Sequence, residues 1–214
     1  MNRFAARLTP YSYSTGAVVA LTAAALILYF VPWVDGGSAS LTFGAYDLAE
    51  WTSLHPAVRF VEPGLVMTLL LRLVPALLVI GLSAWASLHR GSGLWWLAGL
   101  VVLIAAAGLL PPFEFIANTG DPNYRQQFIV ALVALIGGLV AWSGLLRRHS
   151  RWITLGAAVG ALICAAVGLS QALTLFDGFR LDAAAGVGGP GVILCALALT
   201  VLALRSLVSD RRNA

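Results

Sequence analysis

Long apolar runs, punctuated by arginine, proline and glycine, dominate the chain. Uncharged stretches cover 15–34, 94–110, 128–146 and 152–173, and another runs from 190 to 204 and on to 208 past Arg205. A sixth, 64–88, is equally apolar except for Arg72, followed by Pro75. None alternates at period two, and each far exceeds the about 10 residues of a transmembrane strand. About 20 apolar residues of helix match a hydrocarbon layer of about 30 Å. The pattern therefore predicts an all-α integral membrane protein: a six-transmembrane-helix bundle of three helical hairpins, forming a single polytopic domain over 1–214. No residue-level repeat relates the hairpins, so no internal duplication is inferred.

The connections are unequal, and the first outer one, about 35 to 63, is by far the longest. Within it Tyr46, Leu48, Trp51, Leu54 and Val58 recur at helical spacing with Asp47, Glu50 and Thr52 between them. This predicts a short amphipathic helix on the outer membrane surface, ended by Pro56. Asp121 before Pro122 reads as an N-cap followed by a first-turn proline, opening the fourth spanning helix.

Arginine placement orients the bundle. With both termini cytoplasmic, Arg3, Arg7, Arg90, Arg147, Arg148, Arg151, Arg205, Arg211 and Arg212 fall inside, and Arg59, Arg125 and Arg180 fall outside. Every carboxylate except Asp210 then lies outside. Aromatic residues give two candidate interfacial belts. Tyr29, Phe30, Trp33, Phe113, Phe115, Tyr124, Phe128, Phe176 and Phe179 form the outer one, and Trp85, Trp95, Trp96, Trp142 and Trp152 the inner one. The first apolar run is too long for a signal h-region, and Pro32-Trp33 separates it from Ser38-Ala39-Ser40, so it reads as an uncleaved helix.

Composition narrows the class further. The 214 residues are 60% hydrophobic and 10% charged, with mean hydropathy +0.90, which excludes a soluble core and disorder. Two cysteines make no disulfide scaffold. All 13 basic residues are arginine, a usage that with abundant Ala, Leu, Val and Gly points to a GC-rich bacterial genome and hence to the bacterial plasma membrane. The net charge of +4 is spread over helix ends rather than gathered on a solvated face, so the bilayer, not nucleic acid, is its counterpart.

Arg72 is the main candidate for chemistry, because a charge inside a span needs a partner or a path to water. Lying about 12 Å below the outer end of its helix, it is within reach of Glu114 and also of Glu62 or Asp177. Such a group forms either a structural ion pair or an anion or gating site. Pro75 predicts a kink beside it. Gly156, Gly160, Cys164 and Gly168 repeat every four residues, and Gly191, Cys195 and Ala198 form a shorter face. These faces serve packing of the fifth helix against the sixth or docking of a partner's helix. The cysteines lack His or carboxylate neighbours, and His55, His89 and His149 fall on both sides of the membrane, so no metal or other cofactor is expected. P-loop, HExxH, GxSxG and CxxC motifs are lacking, which argues against an enzyme.

The preferred reading is a non-catalytic accessory or scaffolding subunit that meets a membrane-protein partner, or a second copy, through its small-residue face and outer loop. The alternatives are a small-solute or ion permease using Arg72, and a membrane enzyme acting on lipid or envelope precursors through Glu50, Glu62, Glu114 and His55.

Overall fold

The computed structural model describes residues 10–36, 42–54, 65–117 and 119–213, with side chains from Thr15 to Ser209. His55, Pro56, Val58, Arg59 and Glu62 lie outside the described residues. The elements in order are α1 (Pro10–Phe30), β1 (Val34–Asp35), β2 (Thr42–Phe43), α2 (Ala45–Leu54), α3 (Val66–Ser87), α4 (Gly93–Gly108), α5 (Glu114–Ala117), α6 (Pro122–Ser143), a 3-10 turn (Arg147–His149), α7 (Ser150–Gly178), β3 (Ala184–Ala185) and α8 (Gly188–Asn213). Four stretches, Val66–Ser87, Pro122–Ser143, Arg147–Gly178 and Gly188–Ser209, are helical, long and apolar enough to cross a membrane. The apolar stretch Thr15–Phe30 belongs to the 21-residue helix α1, and Gly93–Gly108 is a shorter apolar helix. At 1.5 Å per residue, 16 residues of helix reach about 24 Å.

Local chemistry explains the helix ends. The Asp121 carboxylate accepts from the backbone N–H of Asn123 at 2.8 Å and of Tyr124 at 3.3 Å, with Pro122 in the first turn, as the sequence predicts. Ser92 caps α4 through the Trp95 N–H, and Gly144, at φ 81, ends α6 in the left-handed conformation. Helix α3 continues through Pro75.

Helix α3 is the centre of the bundle, packing against α1, α2, α4, α6 and α7, while α8 closes the circuit between α7 and α1. Small residues set the close approaches. A Cβ on Gly160 would lie 3.1 Å from Leu77, and one on Gly168 would lie 3.0 Å from Leu71. The stripe read from Gly156 to Gly168 thus faces α3 at Gly160 and Gly168, while Gly156 meets nothing within 4 Å, and α7 packs against α8 as well. Gly191 is filled by Leu28 of α1. Cys164 is buried, Cys195 is half-buried, and both are free thiols.

The bundle has two unlike ends. At one, β1 pairs antiparallel with both β2 and β3, Val34 standing opposite Phe43 and Ala185. Two-residue strands carry no period, and the sequence gives no sign of them. Helix α2 docks onto α3, burying Ala45, Leu48, Ala49, Thr52 and Ser53 and leaving Leu54 exposed. Of the apolar positions its spacing marks, Leu48 is buried and Tyr46 and Trp51 pack against the core, so the buried face includes the marked one and Leu54 alone of the four turns out.

The opposite end carries Arg90, Arg147, Arg148 and Arg205. Here the hydroxyls of Ser87 and Ser150 meet at 2.8 Å. Trp95 and Trp142 stack at 4.3 Å, and each indole N–H donates to the other's backbone carbonyl, at 2.9 and 2.7 Å. The aromatic belts need correction accordingly. Tyr29, Trp33, Phe176 and Trp85 are core residues, at most 1% exposed, whereas Phe30, Phe113, Trp96 and Trp152 do face outward. Buried rings add packing area and edge or stacked contacts that an interfacial position would not supply.

Candidate functional site

The polar centre of the molecule forms around Arg72, in the second turn of α3 and 1% exposed. Its Nη2 donates to Glu50 Oε1 of α2 at 2.6 Å, the ion pair of the site. Its Nη1 donates to the Asn123 side-chain oxygen of α6 at 2.7 Å, with the Asn123 backbone carbonyl at 3.4 Å. A guanidinium in an apolar bundle needs such charge-assisted acceptors, and its fork lets it take them from two directions. The helix start set by Asp121-Pro122 places Asn123, 2% exposed, where it can do this. Glu50 is 35% exposed, so the pair sits at the boundary between bundle and water.

The carboxylate on Arg72 is thus Glu50 rather than Glu114. Glu114 is exposed at the start of the four-residue α5, and Asp177 is exposed as well. The difference comes from α2, whose docking brings Glu50 down onto α3. Spacing alone gave no reason to turn the Glu50 face of that helix inward. Asn123 and Gln127, one turn apart at the start of α6, were the readable signal, since they make a polar stripe on a helix whose other buried positions are Val130, Ala131 and Ala134.

Further polar groups gather on the same spot. Gln127, 1% exposed, donates its amide to the Leu110 carbonyl at 3.2 Å. The Tyr46 hydroxyl sits beside the Gln127 amide, yet the Gln127 Oε1 has no hydrogen-bond partner. The Tyr29 hydroxyl, under the influence of Arg72, Tyr46 and Glu50, and the Thr68 hydroxyl, one turn before Arg72 on α3, are likewise buried without a partner. Burial pushes the Tyr46 phenol above its ordinary pKa, and the Glu50 carboxylate adds to that shift against the opposing Arg72.

Beside this cluster a crevice of about 310 Å³ opens between α1 and α4. Leu26, Tyr29 and Phe30 form one wall, residues from Val101 to Leu109 form the other, Pro75 forms the floor, and Tyr46 closes the end. The lining is apolar except at the two tyrosines. Among the described residues, no group of three His, Cys, Asp or Glu side chains is placed to hold a metal ion. His89 instead packs near the far end, its ring 3.2 Å from the Thr15 hydroxyl.

The site is therefore a neutralised charge pair that joins three helices, next to an apolar crevice lined at one end by the unpartnered Tyr29 hydroxyl. No family model matches the chain, and no curated protein or solved structure is significantly similar to it.

Proposed function

We propose that the protein is a non-catalytic multi-pass subunit of a bacterial plasma membrane that presents a rigid outer cap to a partner in its own membrane. In this reading all six apolar helices cross, α4 within a locally thin part of the bundle, and both termini are cytoplasmic. The observation that carries it is the clamp: Arg72 holds α2 to α3 through Glu50 and holds α6 through Asn123. A cap fixed this way offers a preformed surface, which lowers the ordering cost of binding. Arg72 spends both terminal nitrogens on the protein itself, which weighs against the permease reading. The charge distribution supports the orientation, since Asp35, Asp47, Glu50, Glu114, Asp121, Asp177 and Asp182 lie at the capped end and most arginines lie at the other.

Native extraction into nanodiscs followed by mass spectrometry tests the reading. A stoichiometric membrane protein should co-purify with the wild type and be lost with Glu50→Ala; recovery of the chain alone from its native membrane contradicts it. In a background without Cys164 and Cys195, Arg148→Cys and Asp182→Cys should label from opposite sides of the membrane, and labelling of both from one side overturns the orientation.

A further inference from the structure

We infer that the crevice between α1 and α4 is a binding site for a neutral, hydroxyl-headed, single-chain lipid, a long-chain or isoprenoid alcohol drawn from the bilayer. The inference is independent of the scaffold reading, because it rests on the crevice and on polar atoms that the clamp leaves unused.

Three features define the occupant. The first is the hydrogen-bonding complement. The Tyr29 hydroxyl is a donor with no acceptor, and the Gln127 Oε1 is an acceptor with no donor. A buried polar atom left unpaired costs about 1 to 3 kcal/mol, so the orphaned Tyr29 hydroxyl on the crevice wall marks a missing group. A lipid hydroxyl accepts from Tyr29 and keeps a proton of its own to donate toward the Gln127 amide, which lies beside the lining residue Tyr46. Tyr29 lines the crevice, and Gln127 is anchored to the carbonyl of Leu110, next to the lining residue Leu109.

The second feature is charge. Arg72 and Glu50 already balance each other at 2.6 Å. A phosphate, carboxylate or ammonium head would add an unmatched charge at a site of low dielectric, and its desolvation would oppose binding. A neutral head avoids that penalty.

The third is size and access. The volume of about 310 Å³ lies at the small end of ligand pockets, about 300 to 1,000 Å³, which suits one chain rather than two. From Val101 to Gly108 the α4 wall rises about 10 Å. Pro75 and Gly108 keep the space open, and a Cβ on Gly108 would meet nothing within 4 Å. The opening lies between two apolar helices whose exposed side chains include Ile27, Leu100 and Ile104, so the route in is through the bilayer.

The test uses the full chain in phosphatidylcholine nanodiscs with a diazirine-bearing hexadecanol, and the matching diazirine-bearing palmitic acid as the charged counterpart. The alcohol should label the α4 segment 93–108 and be displaced by unlabelled hexadecanol, with the acid labelling several-fold less. Tyr29→Phe should weaken labelling about fivefold, the loss of about 1 kcal/mol. Gly108→Leu, which fills the crevice without touching the clamp, should abolish it and keeps the test decisive if the tyrosine variant does not fold. Equal labelling by the acid, label spread evenly over all helices, or unchanged labelling in Gly108→Leu would each overturn the inference.

Discussion

The two ends of the bundle solve the same problem with different chemistry. At the capped end, segments far apart in the chain are joined by one buried charge: Arg72 reaches Glu50 and Asn123, which lie on separate helices. At the arginine-rich end the described joints include neutral hydrogen bonds, the Ser87–Ser150 hydroxyl pair, the Thr154 hydroxyl on the Gly81 carbonyl at 3.2 Å, and the reciprocal Trp95–Trp142 bonds, with the Arg90 guanidinium set 6.0 Å over the Trp95 ring. Arg147 and Arg148 there remain exposed. A charged joint is strong but fails badly when halved, because the remaining charge is stranded. Neutral joints are individually weaker and fail separately. The capped end should therefore be the more vulnerable to single substitutions.

The largest expected effect comes from halving the clamp. Glu50→Ala strands a buried guanidinium and should cost about 3 kcal/mol in reversible unfolding in detergent. Arg72→Met should cost less, because the Glu50 carboxylate it leaves behind is 35% exposed and can be hydrated. If the arginine variant were the weaker of the two, the asymmetry assigned to the capped end would be gone.

Backbone approach sharpens the contrast. A Cβ on Gly188 would collide with the Val31 carbonyl, with Trp33 Cδ1 at 2.7 Å and with the Leu28 carbonyl at 2.8 Å. Backbone atoms there cannot swing aside, so Gly188→Ala should destabilise by about 2 kcal/mol. Gly156→Ala, in open space near the other end, should be neutral or slightly stabilising through helix propensity. Comparable losses at both positions would remove the distinction.

At the neutral end, Trp142→Phe deletes the N–H that Trp95's carbonyl accepts and should cost about 1 kcal/mol. The smallest effect is a pH dependence. The folded state raises the Tyr46 pKa, chiefly by burial, so it holds its proton more tightly than the unfolded chain does. Stability from this source is constant below the ordinary tyrosine pKa of about 10 and declines as pH rises above it. Tyr46→Phe should flatten that alkaline decline in a pH series of thermal unfolding.

Much of the architecture was legible because it follows from long-range hydropathy. The apolar runs became helices, Asp121-Pro122 capped α6, and Arg72 stood out as the charge that needed a partner. The partner was not legible, for a definite reason. The large apolar side chains Tyr46, Leu48 and Trp51 do mark the packed side of α2, but the surface that receives it also carries the Arg72 cation, which no spacing reveals. Ala45, Ala49, Thr52 and Ser53 are therefore buried beside Leu48, Glu50 reaches Arg72, and Leu54 turns out. Tyr29, Trp33 and Phe176 stand at run ends, where the sequence points to an interface, yet the cap built over that end buries them. The three short strands that knit the cap together are set by neighbouring backbone rather than by any sequence period.

Hydrogen exchange of segment 45–54 in nanodiscs tests the central claim most directly, by comparing the wild type with Arg72→Met. The account predicts that the α2 amides lose protection in the variant while the ends of α4 and α6 around Trp95 and Trp142 exchange as before. Unchanged protection across 45–54 would contradict it, and would mean that something other than the Arg72–Glu50 pair holds the cap to the bundle.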